Sequence, residues 1–219
     1  MSFTLDGPKR AAKSGAPDAL VVLLHGYGAD GNDLIGLADV MGDHLPSVEF
    51  RSPDAPQACT MNPMGRQWFP IPHMDGSTEA QRNAGFEASQ TALNAWLDQT
   101  AEETGVPAAR TVLVGFSQGT MMSLHVGPRR AEPLAGSVGF SGRLLAPERL
   151  PAEIASKLPV LLLLGDLDEV VPFTDMEAAR AGLTDAGLDV ATHVMPRTGH
   201  GISPDGLGAA LAFIKARLG

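Results

Sequence analysis

The sequence predicts an α/β fold in which a mostly parallel, doubly wound sheet carries helices on both faces. Short apolar runs such as residues 19–24 and 111–114 are rich in β-branched side chains, which is typical of strands buried on both faces. Longer segments with helical periodicity separate these runs. Such alternation indicates parallel strands joined by helical crossovers.

The first half of the chain begins with the strand at 19–24. Asn32 is the expected N-cap of a helix that runs to about residue 43, and residues 48–52 predict a short strand that Pro53 ends. Residues 53–78 have no regular pattern. Their methionine, tryptophan and phenylalanine side chains predict a packed surface loop that lines an apolar pocket, or one that fills the protein's own core.

Predicted strands and helices alternate more regularly in the second half of the chain. A long helix is expected at residues 79–104, where four apolar side chains share one face and Gly105 follows as a helix stop. The later elements are expected at 111–114 (strand), 120–126 (helix), 134–140 and 158–164 (strands), 173–186 (helix), 190–195 (strand) and 203–218 (helix). No repeat or linker interrupts them, so one domain over 1–219 is expected, and residues 141–157 are too few for a lid domain.

The composition and charge of the chain argue against several classes of function. The 219 residues are 44% hydrophobic and carry a net charge of −9, which argues against a nucleic-acid binder and gives no attraction to an anionic membrane surface. A polar N-terminus and the lack of any run of about 18 apolar residues predict a cytoplasmic protein without stable membrane insertion. The single cysteine, Cys59, allows no internal disulfide and is expected to pack or line a pocket. Composition leaves open whether the chain forms a homodimer.

A serine between two glycines follows the strand at 111–114, in the order Gly115-Phe116-Ser117-Gln118-Gly119. A serine nucleophile must sit on a tight strand-to-helix turn, and flanking glycines let strand and helix approach closely. The alternative is an ordinary turn after a core strand. The strand before this pentapeptide and the helix after it favour a nucleophile.

Two more polar positions follow later strands, where an open α/β sheet binds its ligands. Asp168 comes after the strand at 158–164 and is the candidate that orients a catalytic histidine, whereas Asp166 is expected to form the turn. His200 lies on a glycine-flanked loop after the last strand. The order serine, aspartate, histidine along the chain is that of the α/β-hydrolases. The alternative for the acidic loop is a solvated turn.

The loop His25-Gly26-Tyr27-Gly28 follows the first strong strand. An oxyanion hole needs two backbone N–H groups that point at the developing negative charge. We assign them to Tyr27, on this loop, and to Gln118, directly after the serine. The alternative is a glycine-rich turn, and the spacing of the glycines does not fit a dinucleotide-binding motif.

Five segments, in order along nearly the whole chain, resemble the phospholipase/carboxylesterase family related to acyl-protein thioesterases, and its bacterial members in particular. They are LLHGYGADG (23–31), RQWFPI (66–71), GFSQG (115–119), GDLDEVVP (165–172) and GHGIS (199–203). The resemblance implies a lidless serine hydrolase that cleaves carboxylic esters without a metal or other cofactor. One departure is Pro70, where the family often has an aspartate, and it affects the local shape of the pocket.

Together these observations predict a carboxylesterase that acts on small-molecule esters of short to medium acyl chain through Ser117, Asp168 and His200. The substrate-binding side chains are expected on the irregular segment, at Met64, Trp68, Phe69 and His73. Two alternatives are a thioesterase or lysophospholipase for longer acyl chains, and a non-catalytic binding protein with the same fold.

Overall fold

The computed structural model describes residues 5–219. The described strands are β1 (Lys9–Arg10), β2 (Ala19–Leu24), β3 (Val48–Arg51), β4 (Gln57–Ala58), β5 (Arg66–Gln67), β6 (Thr111–Phe116), β7 (Gly136–Phe140), β8 (Val160–Gly165) and β9 (Val190–Met195). The described α-helices are α1 (Gly31–Ile35), α2 (Leu37–Met41), α3 (Pro72–Asp75), α4 (Glu79–Thr104), α5 (Gln118–Val126), α6 (Leu150–Glu153), α7 (Phe173–Asp185) and α8 (Pro204–Leu218).

Seven strands form one sheet in the order β1-β3-β2-β6-β7-β8-β9, while β4 and β5 pair separately as a small antiparallel hairpin. Within the large sheet, β1 is antiparallel to β3 and every other pair is parallel. Parallel strands end at the same edge, so the loops after β2, β6, β8 and β9 gather there. The predicted fold class, a mostly parallel α/β sheet, is confirmed.

The two faces of the sheet support two separate cores because side chains alternate along each strand. Val22 of β2 packs in a cluster with Leu93 of α4, whereas Val21 packs on the other face with Ile214 of α8. All four side chains are fully buried. Strands covered on both faces explain why the sequence shows continuous apolar runs instead of an alternating pattern.

The long helix begins and ends where its capping residues predict. Thr78 Oγ1 accepts a hydrogen bond from the Gln81 N–H, and the Gln81 side chain accepts one from the Thr78 N–H, which together form a capping box. Gly105 ends α4 with a positive φ of 71°. The prediction of a helix at 79–104 is confirmed.

The early part of the chain differs from the sequence prediction. Asp30, and not Asn32, caps the first helix, because its carboxylate accepts the Asn32 N–H at 2.8 Å. The helix expected at 32–43 is divided at Gly36 into α1 and α2. The segment at 53–78 is also more regular than expected, since it contains β4, β5 and α3.

No helix among residues 5–219 combines the length and the apolar character needed to cross a bilayer.

Candidate active site

Ser117 occupies a strained turn between β6 and α5. Its φ of 52° and ψ of −112° lie in a region that residues other than glycine rarely adopt. The turn depends on close packing with β2, because a Cβ on Gly119 would lie 1.8 Å from the carbonyl oxygen of Leu24. The sequence pattern therefore folds into the strand–turn–helix geometry that presents a serine hydroxyl at the carboxyl edge of the sheet.

Asp168 lies on the loop after β8, and its side chain is completely buried. Its Oδ1 atom accepts hydrogen bonds of 2.9 Å from the backbone N–H groups of both Val170 and Val171. Burial alone would raise the pKa of this carboxyl group. The hydrogen bonds from Val171, His200 and Val170 outweigh burial and hold the Asp168 pKa below its ordinary value, so the group is an anion.

His200 faces this anion. Its Nδ1 atom lies 2.9 Å from Oδ2 and 3.2 Å from Oδ1 of Asp168, and 22% of its side chain is exposed. Because an ionised carboxylate only accepts, Nδ1 carries the proton and Nε2 is left as a base. The imidazole ring also lies 4.9 Å from the ring of Phe116, the residue before Ser117. The Ser117 hydroxyl itself has no hydrogen-bond partner among residues 5–219.

The loops that carry Asp168 and His200 are joined to each other by backbone contacts. The Leu167 N–H donates to the carbonyl of Thr198 at 2.9 Å, and the Asp166 carboxylate accepts the Thr198 N–H at 3.2 Å. Gly165 allows this contact, since a Cβ there would lie 2.0 Å from the Thr198 carbonyl oxygen. Asp166 forms the turn, as its position after the strand predicts, and its carboxylate also ties this turn to the loop that carries His200.

The loop after β2 packs against the serine. A Cβ on Gly26 would lie 3.4 Å from the Ser117 Cβ, so the loop His25–Gly28 borders Ser117. Within residues 5–219, neither the Tyr27 N–H nor the Gln118 N–H donates to a protein acceptor. Gln118 is the first residue of α5, where backbone N–H groups have no intrahelical partner. Both groups are therefore available to an incoming anion.

The side chain of Tyr27 points toward the segment at 53–78. Its hydroxyl donates to Oδ2 of Asp75 at 3.2 Å, and the Ile71 N–H donates to the same oxygen at 2.8 Å. Burial raises the Tyr27 pKa, with further contributions from Cys59 and Asp75. Cys59 is itself 3% exposed, in agreement with a packing role. The segment and the loop after β2 thus form one hydrogen-bonded surface.

The four candidate substrate-binding side chains on this segment divide into two groups. Met64 is 86% exposed and His73 is also exposed. Trp68 and Phe69 are 0% and 6% exposed and belong to the core cluster that contains Leu93 of α4. The core-filling alternative therefore holds for Trp68 and Phe69, whereas Met64 and His73 are exposed on the surface of the segment.

Sequence reasoning did not identify a second apolar group at this edge of the sheet. Leu167, Val170 and Phe173 are 60%, 60% and 44% exposed, and they lie on and after the loop that carries Asp168. The signal that could have found them is three apolar residues in a short polar loop next to a candidate catalytic residue.

No group of three or more His, Cys, Asp or Glu side chains within residues 5–219 is arranged to hold a metal ion.

A mostly parallel sheet with these loops at its carboxyl edge is that of an α/β-hydrolase. The chain belongs to the phospholipase/carboxylesterase family, whose pattern matches residues 7–218. The resemblance noted in the sequence is thus confirmed over nearly the whole chain.

Several characterised proteins are similar to this chain. The crystal structure of esterase PE8 is 47% identical, superposes with a TM-score of 0.93, and is matched over 98% of this chain and 100% of its own. Acyl-protein thioesterase 1 of Neurospora crassa is 31% identical over 91% of this chain and 87% of its own length. Esterase YpfH of Escherichia coli is 28% identical over 97% and 87%. The chain is a carboxylic ester hydrolase, and the alternative of a non-catalytic binding protein is set aside.

Proposed function

We propose that this esterase cleaves carboxylic esters of short to medium acyl chain through a covalent acyl-enzyme on Ser117, with His200 and Asp168 completing a catalytic triad. The observation that carries the proposal is the buried Asp168 carboxylate bonded to His200 Nδ1 next to a strained serine. A carboxylate in that position fixes the tautomer whose Nε2 accepts a proton.

The reaction would run in two halves. The Ser117 Oγ attacks the ester carbonyl carbon while its proton passes to His200 Nε2, and the carbonyl oxygen becomes an oxyanion. The N–H groups of Tyr27 and Gln118 stabilise that oxyanion. When the tetrahedral intermediate collapses, the C–O bond to the alcohol breaks and His200 gives its proton to the leaving alkoxide.

Water then replaces the alcohol. His200 Nε2 accepts a proton from the water as its oxygen attacks the acyl-enzyme, and a second oxyanion forms at the same two N–H groups. Collapse breaks the bond to Ser117 Oγ, which recovers its proton from His200, and the carboxylic acid departs. Asp168 stabilises the imidazolium in both halves without taking up the proton.

The acyl group is proposed to lie against the exposed side chains of the segment at 53–78. What supports this is the exposure of Met64 and His73, which leaves both side chains free to contact an acyl chain, while the buried Phe69 and Trp68 hold the segment in the core. Residues 141–159 between β7 and β8 include only short helical turns, so we expect no lid domain over the site. Each methylene contributes about 0.8 kcal/mol only where it is buried, and an uncovered surface therefore favours short to medium chains.

Thioesters or lysophospholipids with longer acyl chains are the second candidate. Two observations favour it: similar proteins are named acyl-protein thioesterase 1, and large apolar side chains are exposed on two of the loops at this edge, Met64 on the segment at 53–78 and Leu167 on the loop that carries Asp168. The same serine chemistry serves both ester types, since only the leaving group changes.

The test compares Ser117→Ala with Ser123→Ala. Ser123 is a buried serine of α5 whose hydroxyl donates to the Thr120 carbonyl, and it serves as a matched control for the loss of a hydroxyl. Ser117→Ala is expected to lower kcat on p-nitrophenyl butyrate by about 10³- to 10⁶-fold and to abolish fluorophosphonate labelling at unchanged thermal stability. Ser123→Ala should keep both the native kcat and the fluorophosphonate labelling. Near-normal turnover by Ser117→Ala would refute the proposal.

The substrate class is measured on the native protein. Values of kcat/KM for p-nitrophenyl esters and for matched acyl thioesters, each from two to sixteen carbons, separate the two candidates. A maximum at or below about eight carbons with esters preferred supports the carboxylesterase. A maximum at longer chains with thioesters preferred supports the alternative.

A further inference from the structure

Gln118 has a buried side-chain amide in addition to the backbone N–H assigned to the oxyanion hole. Its side chain is 1% exposed and makes two hydrogen bonds to the backbone of the segment at 53–78. Oε1 accepts the Trp68 N–H at 2.9 Å, and Nε2 donates to the Phe69 carbonyl at 2.7 Å. The amide therefore pairs with this segment as a peptide group of a neighbouring strand would.

Trp68 extends the connection to the other proposed oxyanion donor. Its indole Nε1–H donates to the carbonyl of His25 at 3.0 Å, and His25 begins the loop that carries Tyr27. The Trp68 side chain is 0% exposed, so this bond is shielded from water. Breaking it would leave a buried donor without a partner.

The His25 side chain is fixed in turn. Its Nε2 atom accepts the Ala55 N–H at 3.0 Å, so Nδ1 carries the proton and donates to the Gly26 carbonyl at 2.8 Å. Burial lowers the pKa of His25 and keeps the ring neutral. The carbonyl that receives the indole N–H thus belongs to a loop with a fixed conformation.

We propose that the side chains of Gln118 and Trp68 form a clamp that sets the separation of the Tyr27 and Gln118 N–H groups. The inference rests on the proposed function, because the clamp acts through the oxyanion hole. Trp68 becomes a positioning residue in place of the substrate contact expected from the sequence. Donors to an oxyanion act best when they are held in place before the charge forms.

The primary variant is Gln118→Met, which keeps the backbone N–H and the side-chain length but removes both hydrogen bonds. Removing one oxyanion donor outright costs about 10²- to 10³-fold in kcat, so releasing its support is expected to lower kcat about 10- to 100-fold with KM little changed. Activity is referred to active sites titrated with a fluorophosphonate, which corrects for any unfolded fraction.

Gln57→Met is the matched control. The Gln57 side chain, within the same segment, donates at 2.9 Å to the carbonyl of Trp68 and, also at 2.9 Å, to the carbonyl of Gly85 on α4. Its loss leaves the bonds to Gln118 and His25 intact, and the Ser89 hydroxyl still donates to the Trp68 carbonyl. This variant should lose comparable stability while kcat per active site stays within about threefold.

A second readout isolates the oxyanion hole. An alkyl trifluoromethyl ketone forms a hemiketal whose oxyanion imitates the tetrahedral intermediate, whereas the corresponding methyl ketone imitates the ground state. In Gln118→Met the trifluoromethyl ketone should bind more weakly by the same factor by which kcat/KM falls. Affinity for the methyl ketone should stay within about twofold. A purely structural role would leave both affinities of the folded fraction unchanged.

Trp68→Phe carries the test if Gln118→Met does not fold, because it removes the indole N–H and keeps an aromatic ring in the core. Full kcat in either folded variant, an equal loss in Gln57→Met, or unfolding of both clamp variants would overturn the clamp. Failure of the proposed function is distinguished by Ser117→Ala: if that variant is active, the mechanism is wrong, whereas if it is inactive and the clamp variants are not, only the clamp is wrong.

Discussion

The two oxygens of Asp168 differ in their contacts: Oδ2 is the nearer to His200 Nδ1, at 2.9 Å against 3.2 Å, whereas Oδ1 also accepts the backbone N–H groups of Val170 and Val171. One oxygen thus fixes the carboxylate in its loop while the other holds the imidazole. This division makes Asp168→Asn a clean test, because the amide can keep its oxygen toward the backbone and place its nitrogen toward His200.

In Asp168→Asn the amide nitrogen facing Nδ1 is a donor, so the imidazole is expected to carry its proton on Nε2 and lose its ability to accept from Ser117. We expect kcat to fall about 10³- to 10⁴-fold at pH 7.5 with the fold retained. Steady-state hydrolysis of p-nitrophenyl butyrate and circular dichroism measure the two quantities. Asp166→Asn, two residues away and bonded to the Thr198 N–H, should stay within about threefold of the native rate. Equal rates for the two variants would contradict the role of Asp168.

The fold followed from local signals wherever those signals were strong. The long helix α4 was predicted to the residue because its apolar stripe and Gly105 are encoded within the segment itself. The first helix was misjudged because Asp30 and Asn32 are both good caps, and only the three-dimensional path of the loop decides between them. β1 has two residues, both charged, and offers no periodicity to detect.

The candidate site also has some features that the sequence predicts and others that it does not. The positions of Ser117, Asp168 and His200 after β6, β8 and β9 could be read from the sequence, because parallel strands bring those positions to one edge. The side-chain hydrogen bonds of Trp68 and Gln118 could not. Their bonds join residues 43 to 50 positions apart, and nothing local distinguishes a tryptophan that binds substrate from one that ties two loops together.

Met64 offers a test of acyl-chain preference. Because its side chain is 86% exposed and is proposed to contact the acyl chain, Met64→Ala should remove that contact without disturbing the core. Loss of about one buried methylene equivalent, about 0.8 kcal/mol, predicts that the ratio of kcat/KM for octanoate to that for acetate falls about fourfold. Val40→Ala, an exposed apolar residue of α2 at 59%, is the control and should leave the ratio unchanged. An unchanged ratio in both variants would exclude Met64 from the acyl site.

Stability should depend on pH through His125. The ring is 3% exposed, lies 4.7 Å from the Phe86 ring, and contacts the Gln90 side chain only through Nε2. Burial, reinforced by the nearby Arg129 cation, lowers its pKa from 6.5 to about 4. The unfolded chain therefore binds a proton more readily than the native one, and the stability contributed by the neutral ring is complete above pH 6.5 and is lost as the pH falls toward 4.

That shift is expected to lower the free energy of unfolding by about 3 kcal/mol in full, most of it between pH 7.5 and 4.5, and urea denaturation at these two pH values tests it. His125→Phe keeps the ring contact with Phe86 and cannot be protonated. When the pH falls from 7.5 to 4.5, the native protein should lose about 2 to 3 kcal/mol more of its free energy of unfolding than His125→Phe does. The contributions of other groups cancel in this comparison. A difference that is independent of pH would contradict the burial argument.

Two glycines of α8 predict opposite effects of the same substitution. Gly208 is exposed and a Cβ there meets no atom within 4 Å, so Gly208→Ala should stabilise the helix by about 0.5 to 1 kcal/mol and raise Tm by about 2 °C. Gly206 is buried, and its Cβ would lie 2.3 Å from Sδ and 2.8 Å from Cγ of the fully buried Met195. Gly206→Ala should therefore destabilise the protein by about 1 to 3 kcal/mol, because β9 and α8 must separate to admit a methyl group. Calorimetry of the two variants decides the matter, and a rise in Tm for both would mean that Met195 moves aside freely and that the packing of α8 on the sheet is looser than the structure indicates.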